Sequence, residues 1–138
     1  MAGIIVSIAI TGVGEMYDVV VAEPVHTDAL EYLSQLPDGV VISHDSYQYQ
    51  ITTIGAQQFF TNKTAASHLF HSIRLTNATQ LIMDNHIDYI LVTQEMKQGL
   101  VWNHSSQELL LLLEDPLFVP LYQSEYATIY SATKSSSP

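Results

Sequence analysis

The segment Gly39–Asp45, with the sequence GVVISHD, decides the fold class of this chain. It follows the turn-forming pair Pro37 and Asp38, continues through three β-branched apolar residues and ends in polar ones. A short apolar run between turn signals is typical of a strand buried on both faces, and such strands belong to parallel sheets covered by helices. Ligands of open α/β sheets bind beyond the carboxyl ends of the strands, so the polar end of this segment marks a candidate site.

A second segment, Ile87–Thr93, has the same apolar character and predicts a second buried strand. Between and around the two strands, apolar residues recur at the three-and-four spacing of a helix face, in residues 27–36, 64–73 and 76–84. Thr64 and Thr76 are the expected starts of the last two helices. Strands that alternate with helices in this way indicate parallel pairing with crossover connections.

The segment 46–54 is ambiguous, because its apolar residues fit a helix and its tyrosines also alternate as in a strand. We favour a helix, since a parallel strand must be followed by a crossover. A short strand is expected at 57–61, after the helix ends at Gly55.

The C-terminal part predicts one more helix and a hairpin. Ser105 and Glu108 have capping-box spacing ahead of the apolar run Leu109–Leu113, and residues 117–122 and 126–131 flank a short polar turn. The predicted fold is therefore α/β, a small Rossmann-like sandwich with a mostly parallel central sheet, flanking helices and a C-terminal antiparallel hairpin.

A chain of 138 residues suits one domain with its own core. We place a single α/β domain at residues 15–132 and a disordered tail at 133–138. Residues 1–14 form an apolar stub, whose ten-residue run Gly3–Gly12 is about half the length needed to cross a bilayer. That stub is either the first strand or the end of a membrane helix.

Charge and cysteine content exclude several classes of function. Fourteen acidic residues against four basic ones give a formal charge of −10, which would repel a nucleic acid backbone. The chain has no cysteine, so disulfides, zinc-thiolate sites and thiol catalysis are excluded. The sequence predicts no cofactor.

The polar ends of the two buried strands supply the candidate ligand-binding residues. If the strands are neighbours, these ends form one cleft, lined by His44, Asp45, Ser46, Tyr47, Gln94 and Glu95. In the alternative interpretation, Asp45 or Ser46 caps the next helix and His44 forms a local hydrogen bond.

No catalytic or metal motif accompanies this cleft. Ser43, His44 and Asp45 are sequence neighbours that point in alternating directions along a strand, so they cannot form a triad with one another. His68 and His71 are spaced to share a metal ion, but no third ligand follows at a useful spacing, so a solvated helix face is the better interpretation. We predict neither a catalytic residue nor a metal ligand.

Three of the four asparagines stand in glycosylation sequons, at Asn62, Asn77 and Asn103. Sequons in this number favour an extracytoplasmic location. They also follow from capping preferences if Thr64 and Ser105 begin helices.

Three blocks of the chain resemble the soluble segment that follows the last membrane helix in polytopic GT-C-type glycosyltransferases. They are Asp28–Asp45, an amphipathic helix, a Pro-Asp-Gly turn and a strand; Leu81–Thr93, with His86 where that family has glycine; and Asp115–Tyr122 with 127–130, similar to its closing hairpin. Prokaryotic relatives of dolichyl-phosphate-mannose mannosyltransferases and oligosaccharyltransferases are the most similar in pattern, with archaeal members among them.

This resemblance implies a non-catalytic accessory domain on the extracytoplasmic face of the cell membrane. It would pack on the membrane portion of the same parent protein, which carries the catalytic acidic residues, or help to bind a partner or an acceptor such as a glycan or lipid-linked sugar. The alternative is a free-standing small α/β enzyme or ligand-binding domain, with its cleft at the carboxyl ends of strands 39–44 and 87–93.

Overall fold

The computed structural model describes residues 27–103 and 108–132. Over these ranges the chain forms a five-stranded mixed sheet with flanking helices, which confirms the predicted α/β class. The helices are α1 (Thr27–Ser34), α2 (Gln48–Thr53), α3 (Lys63–Phe70), α4 (Leu75–Asp84) and α5 (Leu109–Leu112). The strands are β1 (Val40–Ile42), β2 (Gln58–Phe59), β3 (Tyr89–Thr93), β4 (Val119–Gln123) and β5 (Ala127–Ser131).

The strand order is β2-β1-β3-β5-β4. β1 pairs in parallel with both β2 and β3, whereas β5 is antiparallel to β3 and to β4. Four strands therefore run in one direction and β5 alone is reversed, so the mostly parallel sheet and the closing hairpin are both confirmed. The hairpin is inserted with its second strand against β3, which makes β4 an edge of the sheet.

The core follows the pattern that predicted the strands. All five residues of β3 are buried, as are Val41 and Ile42 of β1. α1 packs against β5 and α2, and α3 contacts α4 and α5. Since the central strands are covered on both faces, the site must be formed at an end of the sheet.

The segment 46–54 is helical, as favoured, with a 3-10 turn at Asp45–Tyr47 leading into α2. Two other boundaries differ from prediction. α3 begins at Lys63 because the Asn62 side chain caps it, and α4 begins at Leu75 without a side-chain cap.

The predicted capping box before α5 is wrong for Glu108. This residue precedes α5 with φ of 41°, and its carboxylate contacts His71 rather than the helix start. Ser105 lies outside the described residues, as do the N-terminal stub and the C-terminal tail. A π-helical turn at Met96–Leu100 was not predicted, since its five residues carry no helical periodicity.

Among the described residues, none of the helices combines the length and apolar character needed to span a bilayer.

α4 ends in a Schellman motif. This motif explains why the resemblance leads one to expect glycine at position 86, where this chain has histidine. The amide of Ile87 donates to Ile82 O at 3.0 Å and that of His86 to Met83 O at 3.3 Å. His86 therefore adopts φ of 57°, in the left-handed region that favours glycine.

Replacing His86 with glycine is expected to raise the free energy of unfolding by ~0.5 to 1 kcal/mol, because relief of left-handed strain outweighs the added entropy of the unfolded chain. Urea denaturation would measure the change. The matched variant His86→Ala keeps the strain and should show no gain. An equal gain in both variants would place the effect in the imidazole rather than in the backbone.

Candidate functional site

The carboxyl ends of β1 and β3 lie side by side. The two strands pair in parallel with Val41 opposite Tyr89 and Ile42 opposite Ile90. After β1 the chain continues to β2 on one side, whereas the strands that follow β3 lie on the other side. Such a divergence is the topological switch point at which open α/β sheets bind ligands.

Tyr47 links the ends of the two strands. It is 6% exposed, and its hydroxyl lies 2.6 Å from Glu95 Oε1 and 2.8 Å from Thr93 Oγ1. An ionised carboxylate only accepts hydrogen bonds, so the Tyr47 hydroxyl donates to Glu95. The Thr93 hydroxyl in turn donates to the Tyr47 oxygen. Thr93 Oγ1 also accepts the Met96 amide at 3.2 Å, which holds the turn after β3. The hydroxyl of Tyr47 is thus used in joining the strands.

His44 and its neighbours form a local turn. His44 Nδ1 accepts the Ser46 amide at 3.1 Å, so the proton of the neutral ring is on Nε2. His44 thereby occupies the N-cap position of the 3-10 turn. The sequence-based alternative is right that His44 forms a local hydrogen bond, but the cap is His44 itself rather than Asp45 or Ser46.

Asp45 pairs with Lys63, the first residue of α3. Its Oδ2 lies 3.1 Å from Lys63 Nζ, and its Oδ1 lies 3.4 Å from His44 Nδ1. The hydrogen bond from Lys63 holds the pKa of the Asp45 carboxyl below its ordinary value. Asp45 is exposed, so it remains open to a ligand.

A cavity of about 240 Å³ lies at the carboxyl ends of β1 and β2, beside α3. Its polar wall includes His44, Asp45, Gln48, Lys63, Ser67 and His71, and its apolar wall includes Phe59, Phe60, Phe70, Leu100 and Val101. An apolar pocket with a few convergent polar groups is the usual form of a small-molecule site.

The structure divides the six predicted site residues into two groups. His44 and Asp45 line the cavity, whereas Ser46, Tyr47, Gln94 and Glu95 do not. The β1 and β3 ends do meet, through Tyr47, but the open space lies toward β2.

Sequence reasoning missed the contribution of α3 to this site. Lys63 and Ser67 lie on α3, directly after the short strand β2, and both line the cavity. The signal was present: a third parallel strand ends at the same edge of the sheet, so the residues that follow it belong to the same candidate site.

His68 lies on α3 and His71 directly follows it, but His71 pairs with a distant acidic residue. His71 Nδ1 lies 2.6 Å from Glu108 Oε1, which links the end of α3 to the residue before α5. No group of three or more histidine and acidic side chains comes together within 27–103 and 108–132.

The three sequon asparagines lie on the surface in different settings. Asn62 caps α3, Asn77 lies within α4, and Asn103 follows the buried Trp102. All three are exposed.

The Lys63→Met variant is expected to raise the pKa of the Asp45 carboxyl toward its ordinary value, measured by NMR titration. A lowered folded pKa stabilises the fold above the ordinary carboxyl range, and that stability is lost as pH falls through the lowered value. The variant should reduce this dependence, since His44 and a backbone hydrogen bond also lower the pKa of Asp45. Lys97→Met, which changes a lysine that does not act on Asp45, is the control. An unchanged Asp45 pKa in Lys63→Met would show that the ion pair does not form in solution.

Comparison with solved structures shows a likeness in fold. No family model matches the chain, and no curated protein matches it. Among solved structures, the chain is similar to the C-terminal globular domain of an oligosaccharyltransferase from Archaeoglobus fulgidus, with a TM-score of 0.65 and 12% sequence identity. The match covers 81% of this chain and 99% of that domain. The chain therefore has the fold of an archaeal oligosaccharyltransferase C-terminal globular domain.

Proposed function

We propose that this chain is a non-catalytic, extracytoplasmic accessory domain of a membrane-bound glycosyltransferase-like protein. The observation that carries the proposal is the likeness to a domain of an oligosaccharyltransferase, which extends over 99% of that domain. A domain of that kind is one part of a larger enzyme.

The sequence adds independent support. The resemblance to GT-C-type enzymes rests on three blocks, and two of them include the strands β1 and β3 at the centre of the sheet. Residue 86, where glycine is expected, has the left-handed backbone that glycine favours. In this proposal the membrane portion of the parent protein carries the catalytic residues. The accessory domain packs on that portion or helps to bind an acceptor, with His44 and Asp45 at the contact.

Membrane fractionation tests this proposal. An epitope tag at the C-terminus of the gene in its native locus would report where the protein lies. We expect the tag to stay with the membrane after alkaline carbonate extraction, and to be removed when protease is added to intact spheroplasts. Recovery in the soluble fraction, or protection from external protease, would contradict the proposal.

A small-molecule binding domain is the second candidate, favoured by the cavity beside Asp45. A ligand that binds the folded state raises its stability by RT ln(1 + [L]/Kd), which is about 2.7 kcal/mol at a hundredfold excess over Kd. Thermal denaturation with sugars, phosphosugars, nucleotides and divalent cations would reveal such a ligand.

Two variants make the thermal test specific. Asp45→Asn should abolish the shift, whereas Glu95→Gln should retain it, since Glu95 does not line the cavity. If none of these compounds moves the melting curve, this second candidate fails.

A further inference from the structure

We propose that, of the two sequons that lie wholly within the described residues, Asn62 is the one that the folded domain presents for N-linked glycosylation, with its glycan beginning at the rim of the cavity. The inference rests on the proposed extracytoplasmic location, because glycan transfer takes place on that side. It goes beyond that location by distinguishing Asn62 from Asn77 through the backbone conformation at each sequon.

The side chain of Asn62 caps α3 through its oxygen, not through the amide nitrogen to which a glycan would be attached. Its Oδ1 accepts the Ala65 amide at 3.1 Å, and its backbone is extended, with φ of −77° and ψ of 97°. The cap uses the carboxamide oxygen, so it does not require Nδ2. Asn62 and Thr64 are both exposed. The two polar groups that define a sequon are therefore accessible together.

Asn77 is held in a different way. It lies at the third position of α4, whose ten residues continue to Asp84. The hydroxyl of its sequon partner Thr79 donates to Thr76 O at 3.1 Å, within the helix. To enter an active site as an extended segment, this sequon must unwind α4 from Leu75 through Thr79, whereas the Asn62 sequon has only Lys63 and Thr64 in the first turn of α3, so the opening at Asn77 costs more free energy. We expect the folded domain to be modified slowly at Asn77.

The modification is a group transfer from a lipid-linked oligosaccharide, catalysed by an oligosaccharyltransferase. A bond forms between Asn62 Nδ2 and the anomeric carbon of the first sugar, and the bond from that carbon to the phosphate oxygen breaks. The lipid phosphate leaves with the bonding electron pair, and the amide nitrogen gives up one proton to a base. The Oδ1 atom is unchanged, so the helix cap is retained.

The position of Asn62 would place the glycan next to the cavity. The residues on either side of it, Thr61 and Lys63, both line the cavity. A glycan on Asn62 therefore starts at the edge of the cavity that His44 and Asp45, which follow β1, also line.

The test compares initial rates of glycosylation in the folded full-length chain. The purified chain is incubated with an oligosaccharyltransferase and a lipid-linked oligosaccharide, then digested with trypsin. Cleavage at Arg74 and Lys97 places the three sequons on separate peptides for mass spectrometry. Synthetic peptides with the sequences of residues 57–70 and 72–84 give the intrinsic rate of each sequon. We expect the ratio of folded to peptide rate to be at least about tenfold higher for Asn62 than for Asn77.

Two variants check the assignment. Asn62→Asp keeps a capping oxygen but has no amide, and Thr64→Ala keeps the cap but removes the sequon. Both should lose the modification while keeping the wild-type melting temperature. An Asn77 ratio equal to or above that of Asn62, or modification that persists in Thr64→Ala, would overturn the proposal. Because the enzyme is supplied in vitro, such a failure is independent of the membrane fractionation result.

Discussion

Replacing Gln57 with leucine is expected to lower the free energy of unfolding by about 3 kcal/mol. Gln57 is 6% exposed, and its amide joins α1 to the start of β1. Its Oε1 accepts the Gly39 amide at 2.8 Å, while its Nε2 donates to Leu33 O at 2.9 Å and to Leu36 O at 3.2 Å. Leucine has nearly the same size but leaves these backbone groups without the side-chain partner. Guanidinium denaturation followed by circular dichroism would measure the loss.

The Gln57→Glu variant separates hydrogen bonding from packing. It keeps the acceptor for Gly39 but turns a carboxylate toward backbone carbonyls, so it should be strongly destabilising at neutral pH. Burial among acceptors raises the folded pKa of the introduced carboxyl above its unfolded value. The destabilisation should therefore shrink as pH falls from about 7 to about 5 and the carboxyl gains a proton. A loss that does not vary with pH in Gln57→Glu, together with a loss below about 1 kcal/mol in Gln57→Leu, would contradict this role.

Gly39→Ala is expected to cost about 2 to 3 kcal/mol, because a side chain does not fit where β1 begins. A Cβ atom at Gly39 would lie 2.8 Å from Asp88 Oδ2, 2.9 Å from Asp88 Cβ and 2.9 Å from Tyr89 Cε2. Asp88 Oδ2 accepts the Val40 amide at 2.8 Å, and the Tyr89 hydroxyl donates to Pro37 O at 2.7 Å. Any movement that admits the methyl group weakens both hydrogen bonds.

The neighbouring exposed residue provides the control for this prediction. Asp38→Ala places alanine in the same turn without the close contact, and should change stability by less than about 0.5 kcal/mol. Equal losses in Gly39→Ala and Asp38→Ala would attribute the effect to the turn sequence rather than to the contact with Asp88 and Tyr89.

The central strands could be predicted because burial on both faces leaves a direct trace in the sequence. Val41, Ile42 and the first four residues of β3 are apolar without alternation, and a short run of this kind between turn signals is typical of a covered parallel strand. The flanking helices could also be predicted from burial, since the apolar residues on the buried face of a helix recur every three or four positions. Helix starts were less certain: Asn62, not Thr64, caps α3 because its oxygen reaches the Ala65 amide.

The connections between distant segments could not be predicted. Gln57 looks like any polar residue in the sequence, and its partners at Leu33 and Gly39 are 24 and 18 residues away. The insertion of β5 between β3 and β4 is likewise a choice of strand order, which local patterns leave open. Gly55 was expected only to end α2. Gly55 does not have a positive φ; the next residue, Ala56, does. Position 55 instead lacks space for a side chain, because a Cβ there would lie 2.6 Å from Ile51 O.

The candidate site was predicted in part, because the rule for open sheets specifies an edge and not a pocket. His44 and Asp45 follow from the end of β1, and the same rule placed Glu95 beside them. The hydroxyl of Tyr47 contacts both Thr93 and Glu95, and the cavity opens instead between β1 and β2. A short strand was expected at 57–61, but the residues that follow it, Lys63 and Ser67, were not included in the predicted site.

The most direct test of the central claim is to determine the coding sequence upstream of codon 1 in the source genome. If the domain belongs to a membrane-bound parent protein, we expect an in-frame continuation that encodes several apolar segments of about 20 residues, the length that spans a bilayer. In that result the catalytic residues would be sought in the upstream part, and the cavity beside Asp45 would be a contact for an acceptor or for that part. Translation that begins at Met1, with no membrane segment in frame before it, would contradict the proposal that this domain is part of a membrane-bound protein.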